Sequence, residues 1–188
     1  MHQIRSYFEK TVKMSDSDWE FFSSKLKRTE YKKRTALLRV GEVESHLNFI
    51  ETGSIRMFIP KEENDLTFAF SFSGQFMSAY DSFITQTPSN YQTETITDTV
   101  LWSITFDDLQ DIYRNTDCGQ IIGRKTAESL FLLKVKREQS LLNESAEDRY
   151  LNLFTEQPHL IKEIPLKFLA SYIGITPQAL SRIRKRIS

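Results

Sequence analysis

The spacing of apolar positions changes rhythm along the chain. Near the N-terminus it is helical. Ser15-Asp16-Ser17-Asp18 offers N-cap candidates, and Trp19, Phe22 and Leu26 follow at i, i+3 and i+7, so the first thirty residues read as helix. From Tyr31 to about Thr105 the apolar runs shorten. Ala36-Leu37-Leu38, Leu47-Asn48-Phe49-Ile50, Ile55-Arg56-Met57-Phe58-Ile59, Leu66-Thr67-Phe68-Ala69-Phe70, Tyr91 to Ile96 and Val100 to Ile104 are strand-like. Turn signals separate them at Val40-Gly41-Glu42, Glu51-Thr52-Gly53-Ser54, Lys61-Glu62-Glu63-Asn64-Asp65, Ser73-Gly74-Gln75 and Thr87-Pro88-Ser89-Asn90. Short strands punctuated in this way predict an antiparallel sandwich or roll.

After Phe106 the helical rhythm returns. Thr105-Phe106-Asp107-Asp108-Leu109 reads as a capped short helix. Asp117 to about Leu142 carries a long, proline-free helical pattern with Ile122, Thr126, Leu130 and Leu133 on one stripe, and Phe131 and Val135 beside it. Two readings stay open for that stripe: packing on its own domain, or the seam of a dimer. Ser145 with Asp148 forms a capping-box pattern for a helix from Ala146 to Glu156, closed by Gln157-Pro158.

The segment from Ile164 to Arg186 is the most informative. Pro165 suits a first helical turn, Leu166, Leu169, Ala170 and Ile173 give a buried face, and Gly174 ends the helix. Thr176 then caps a second helix with Pro177 at its first position, and Ile175, Leu180 and Ile183 supply a shared core. The pattern is a helix-turn-helix. On the second helix Gln178, Ser181, Arg182 and Lys185 form one polar stripe. Glutamine can pair with an adenine edge and arginine with guanine, while Lys185, Arg184 and Arg186 suit phosphate contacts. The competing reading is a solvated face on an ordinary helical hairpin.

Charge sharpens this picture. The 188 residues carry 25 basic and 25 acidic side chains, a balance that by itself argues against nucleic acid. The balance hides segregation: residues 60–120 hold ten acidic and two basic side chains, whereas residues 160–188 hold six basic and one acidic. Phosphate would be repelled by the first block and attracted to the second. The single cysteine, Cys118, cannot form an internal disulfide or build a cysteine-based metal site, and reads as a small buried residue. The opening Met1-His2-Gln3-Ile4-Arg5 has no apolar signal core, and no apolar run reaches the roughly 18 residues of a membrane span. A cytoplasmic protein without a membrane partner is expected.

Taken in order, a roll punctuated by Gly41, Gly53 and Gly74, a long helix and a terminal helix-turn-helix resemble the Crp/Fnr family of bacterial transcription regulators. The most specific segments are Leu47-Asn48-Phe49-Ile50-Glu51-Thr52-Gly53-Ser54-Ile55-Arg56 and Ile164 to Arg186. The resemblance implies an α+β chain: a jelly-roll-like sensor of the cyclic-nucleotide-binding type with flanking helices over 1–115, a dimerisation helix over 116–143, and a DNA-binding domain over 144–188. It implies a homodimer on palindromic double-stranded DNA, with RNA polymerase as a further partner. The family's base-reading positions fall on Pro177, Gln178 and Arg182, with Thr176, Lys167 and Lys185 near the DNA backbone.

The chain departs from the family pattern in three places. Where the family holds the ribose with Gly-Glu and the phosphate with Arg-Ser, this sequence has Ser78-Ala79 and Ser89-Asn90. Ala79 cannot accept from a ribose hydroxyl and Asp81 would oppose an anion, so cyclic AMP is not expected as effector. Any ligand of the roll would lie near Ser78, Ala79, Tyr80, Ser89, Asn90 and Tyr91, and an empty roll filled by its own side chains is at least as strong an expectation. The N-terminal cysteine cluster of oxygen-sensing relatives is missing. The β-hairpin wing that follows the recognition helix in the family is absent before Ser188; a natural wingless chain and a truncated one both stay open, and DNA affinity is expected to rest on fewer phosphate contacts.

Two rival functions follow from the same residues. A cupin-like metal enzyme would need clustered ligands, yet His2, His46 and His159 are dispersed, and no phosphate-binding glycine loop or nucleophile elbow is present. No catalytic residue and no metal ligand is therefore assigned. An adaptor that kept the roll and lost DNA binding is the other alternative, opposed by the Gln178, Ser181, Arg182, Lys185 stripe.

Overall fold

The computed structural model describes residues 1–187. Helices α1 (His2–Glu9) and α2 (Asp16–Ser24) precede eight strands with one short helix among them: β1 (Lys27–Tyr31), β2 (Ala36–Leu38), β3 (His46–Thr52), β4 (Ser54–Ile59), β5 (Leu66–Phe72), β6 (Phe76–Met77), α3 (Tyr80–Thr85), β7 (Gln92–Thr95) and β8 (Thr99–Thr105). Then come α4 (Phe106–Asn115), α5 (Gly119–Asn143), α6 (Ala146–Glu156), α7 (Pro158–Glu163), α8 (Leu166–Tyr172) and α9 (Pro177–Ile187). The strands form two four-stranded sheets, β1-β8-β3-β6 and β2-β7-β4-β5. This is the antiparallel roll that the strand rhythm predicts. Among the described residues no strand follows β8.

The chain divides into two compact units. The first joins Met1–Met57 to Phe70–Ser129, and the second joins Phe58–Ala69 to the helices from Leu130 onward. The outer part of the β4–β5 hairpin thus shares a unit with the C-terminal helices.

The first unit is held by an apolar cluster. Ile4 and Phe8, one helical turn apart on α1, meet Phe22 of α2, Phe49 of β3 and Ile104 of β8. Phe8 lies 5.1 Å edge-on from Phe22 and stacks at 5.2 Å on Phe76. Each such ring or aliphatic side chain contributes about 1.5–3 kcal/mol by leaving water. Cys118 joins this cluster, and burial pushes its thiol up to about 11, which keeps it protonated and inert.

Three expectations need correction. Helix does not extend over the first thirty residues: Ser23 and Ser24 donate back to the Glu20 and Phe21 carbonyls at the end of α2, and Lys27–Tyr31 becomes an edge strand paired with β8. Its charged, outward Lys27, Arg28 and Glu30 suit an edge that must not pair further. On α5, Ile122 is buried in the first unit's cluster, and half-buried Thr126 lines an apolar pocket with Phe8, Leu109 and Ile112. Ile122 therefore packs on its own unit and is not open to a partner copy, while Thr126 keeps part of its surface exposed. Leu130 is half-buried, whereas Leu133 is 63% exposed. On α8, Leu166 is exposed, so the buried face is Leu169, Ala170 and Ile173.

Gly53, at the β3–β4 turn, has φ +103°, and a Cβ there would come within 2.7 Å of the Asp98 carbonyl. Gly41 has φ +88° but open space around it. We expect Gly53→Ala to lower stability by about 2 kcal/mol or more, and Gly41→Ala by about 1 kcal/mol, in urea unfolding followed by Trp102 fluorescence. Equal effects at the two sites would show that backbone conformation alone, without the close approach, limits residue choice at Gly53.

Candidate nucleic-acid interface and effector cradle

The second unit builds its head from short capped helices. Ser145 accepts from Asp148 N–H at 3.1 Å, and the Asp148 carboxylate accepts from Ser145 N–H at 3.3 Å, so the capping box at α6 is complete. Leu169, Ala170, Ile173, Leu180 and Ile183 are buried beside Tyr150, Leu153 and Leu160. Fully buried Ala170 leaves room for the chain to turn back, and its carbonyl accepts from Ile175 N–H at 3.0 Å. Gly174 takes φ +82° at that turn, a conformation costly for a residue with a side chain. Thr176 then accepts from Ala179 N–H at 3.2 Å and starts α9.

This frame presents the predicted stripe to solvent. Gln178, Ser181, Arg182, Arg184 and Lys185 are all exposed on α9, opposite buried Leu180 and Ile183, with Thr176 exposed and Pro177 half-buried at the helix start. Lys167 is exposed on α8 and lies over the Phe168 ring. Arg186 is different, because it pairs with Glu147 of α6. The last turn of α8 is held from two sides. Arg137 of α5 donates to the Tyr172 carbonyl and stacks on the Tyr172 ring, and Arg149 of α6 donates to the Ile173 carbonyl at 2.9 Å. Burial holds the Arg137 guanidinium below its usual value. These two arginines escaped sequence reasoning, since a basic residue on an amphipathic helix gives no sign that it turns inward.

In the roll, several of the residues nominated as an effector cradle have hydrogen-bond partners within the chain, and the Tyr91–Asp81 bond links the 78–81 and 89–91 segments. Ser78 Oγ donates to the His46 carbonyl at 2.9 Å, and buried Ser89 donates to the Tyr91 carbonyl at 2.9 Å. Tyr91 Oη donates to the Asp81 carboxylate; burial first, and then this bond, raise the phenol far above its usual range. Ala79 is fully buried, Tyr80 half-buried and Asn90 exposed. The main surprise is Glu44. Only 7% exposed, it accepts from His46 N–H at 3.0 Å and from Ala79 N–H, just before α3, at 3.4 Å. A carboxylate of the chain itself thus faces the amide at the start of α3. In sequence Glu44 is one acid in the turn Val43-Glu44-Ser45, with nothing to mark it as buried.

Burial raises the Glu44 carboxyl above the ordinary carboxylate range. The folded state therefore binds this proton more readily than the unfolded chain, and stability declines as pH rises through the folded value. Glu44→Gln should lack that component, so the stability of the parent relative to the variant should fall as pH rises above the ordinary carboxylate range. Glu44→Ala, which strands two backbone donors, should cost about 1–3 kcal/mol. Urea unfolding across pH measures both effects, and parallel pH profiles for parent and Glu44→Gln would remove Glu44 as the titrating group.

Among the described residues no group of three or more His, Cys, Asp or Glu side chains is placed to hold a metal, and no helix is long and apolar enough to cross a membrane. Residues 28–116 match the family of cyclic nucleotide-binding domains. No curated protein matches the chain by sequence. Among solved structures, a Crp/Fnr-family regulator from Eubacterium rectale is similar at a TM-score of 0.73 and 15% identity, covering 96% of this chain and 87% of its own. The global regulator CLP of Xanthomonas campestris, described as responsive to c-di-GMP, is similar at 0.70 and 20% identity, covering 92% and 91%. The Thermus thermophilus catabolite activator protein follows at 0.57 and 17%, covering 92% and 83%. Residues 28–116 thus resemble the cyclic nucleotide-binding domains, and the chain that carries them has the fold of the Crp/Fnr transcription regulators.

Proposed function

We propose that this protein is a DNA-binding transcription regulator that acts as a homodimer on palindromic duplex DNA. The observation that carries the reading is the exposed stripe Gln178, Ser181, Arg182 and Lys185 on a helix whose start is fixed by Thr176 and Gly174. In the proposed complex Gln178 and Arg182 face base edges, and Lys167, Thr176, Arg184 and Lys185 face phosphates. Residues 1–115 serve as sensor, 116–143 as dimerisation helix and 144–188 as DNA-binding domain. The cytoplasm is its place of action, and RNA polymerase is a further partner by the resemblance.

The dimer contact we assign to the second half of α5, where Phe131, Leu132, Leu133 and Leu142 are 63–77% exposed and spread round the helix, so that more than one of its sides is used. Two heads joined there would enter successive major grooves, about 34 Å apart. The effector is not cyclic AMP in this reading. Ser78 and Ser89 already have acceptors, Glu44 takes the Ala79 amide, and Asp81 adds a second negative charge. A cyclic phosphate needs donors or positive charge at that place.

The test is selection of bound duplexes from a random pool, followed by salt titration of the selected site. We expect Arg182→Ala to weaken the selected site by about 1–3 kcal/mol and to relax one base position, with cyclic AMP changing neither parent nor variant. Unchanged affinity and base preference in Arg182→Ala would remove the readout. Absence of binding even at low salt would favour the adaptor reading.

Charge on the α5 face supplies a second test. Phe131→Glu and Leu133→Glu should each yield monomers by sedimentation and weaken binding to the palindrome, while half-site binding remains. A variant that stays dimeric would move the seam elsewhere.

A further inference from the structure

We infer that the tip of the β4–β5 hairpin is a latch on the recognition head, with Ser171 as its positioning residue; the inference rests on the DNA-binding reading above. Ser171 lies on α8, and its hydroxyl does two things at once. It donates to the Asp65 carbonyl at 2.6 Å and accepts from Thr67 N–H at 2.7 Å. Those partners stand 106 and 104 residues earlier in the chain, at the start of β5. Thr67 is 1% exposed, so its N–H has no water to turn to if the serine hydroxyl is lost. Nearby, Lys134 of α5 lies 5.3 Å over the Phe68 ring, a second link from hairpin to helix within the same unit.

What makes Ser171 more than a packing contact is where it sits. Residues 171, 172 and 173 each carry a long-range bond: the Ser171 hydroxyl to the hairpin, the Tyr172 carbonyl to Arg137, and the Ile173 carbonyl to Arg149. The next residue is Gly174, whose left-handed turn aims α9. Any rotation of α9 as a body with α8 must break these bonds. Ser171 faces the hairpin and not the exposed stripe, so it does not belong to the DNA-contacting set. It acts on DNA through α9.

The hairpin also offers a route for regulation, because its strands continue into the sheet β2-β7-β4-β5. In that sheet Arg56 of β4, 5% exposed, donates to Glu94 of β7 at 3.3 Å.

The experiment compares parent, Ser171→Ala and Ser171→Thr. Affinities are measured for the selected duplex and for unrelated DNA, and amide hydrogen exchange is measured without DNA. Losing both bonds to the hydroxyl should weaken the selected site about tenfold in Ser171→Ala. Binding to unrelated DNA and the salt slope should stay at the parent values, since every basic side chain remains. Ser171→Thr keeps the hydroxyl and should restore the specific affinity. Exchange should quicken together at the Thr67 amide and along α9 in Ser171→Ala, with β3 and β8 unchanged.

Parental exchange along α9 in Ser171→Ala would overturn the latch, whatever the DNA result. So would equal losses on selected and unrelated DNA. If the parent binds no duplex but exchange at Thr67 and α9 rises together, the latch stands and the DNA-binding reading fails.

Discussion

A helix that ends inside a protein must find partners for its last carbonyls, and in this chain that requirement governs the whole C-terminal head. The last turn of α8 leaves Tyr172 and Ile173 with carbonyls that no further turn of helix can reach. Arg137 and Arg149 supply charged donors from two other helices. Charge-assisted bonds of this kind are roughly twice as strong as neutral ones, and cations are favoured at a helix C-terminus. Because the donors come from α5 and α6, satisfying α8 also fixes its direction. Gly174 converts that direction into the direction of α9. The exposed stripe on α9 thus inherits its orientation from bonds that lie entirely behind it.

The roll shows the opposite use of the same rule. A binding cradle works by leaving donors without internal partners, so that a ligand completes them. Here Ser78, Ser89, Tyr91 and the Ala79 amide are completed from within, the last by Glu44. Displacing Glu44 would mean finding other acceptors for two backbone donors, each worth about 1–3 kcal/mol if stranded. An anionic ligand would have to exceed that cost and overcome repulsion from Asp81 as well. Matching the cyclic nucleotide-binding family over residues 28–116 therefore describes the scaffold, while the chemistry of its cradle is this chain's own.

Strand and cap signals were legible because they are local. Thr105, Ser145 and Thr176 cap their helices as their spacing implies, and the glycines at 41, 53, 74 and 174 all take positive φ. The stripe on α9 was legible for the same reason, since helical period alone places Gln178, Ser181, Arg182 and Lys185 on one face. What sequence could not reveal depends on partners far along the chain. β1 looks like a polar helical tail until β8 is there to pair with it. Ile122 looks like any apolar residue of a long helix until α1 and α2 cover it. Glu44, Arg137 and Ser171 carry ordinary surface chemistry, and only long-range contacts make them structural.

The exposed apolar surface of α5 can be weighed by magnitude. Burying a large aliphatic or aromatic side chain yields about 1.5–3 kcal/mol, and the four exposed residues Phe131, Leu132, Leu133 and Leu142 are already about one-third covered. Two copies would together gain roughly 8–16 kcal/mol from these positions, against association costs of about 4–15 kcal/mol. Because these residues lie round the helix and not along one stripe, that gain is an upper bound, and by themselves they hold a dimer near balance at most. Arg124 and Glu128, paired with each other one turn before them, add little, because exposed ion pairs contribute about 0–1 kcal/mol. A dimer so close to balance is sensitive to anything that engages both chains at once. Duplex DNA with two half-sites does that, so in the proposed complex assembly and recognition are thermodynamically linked, and the order in which they occur follows protein concentration.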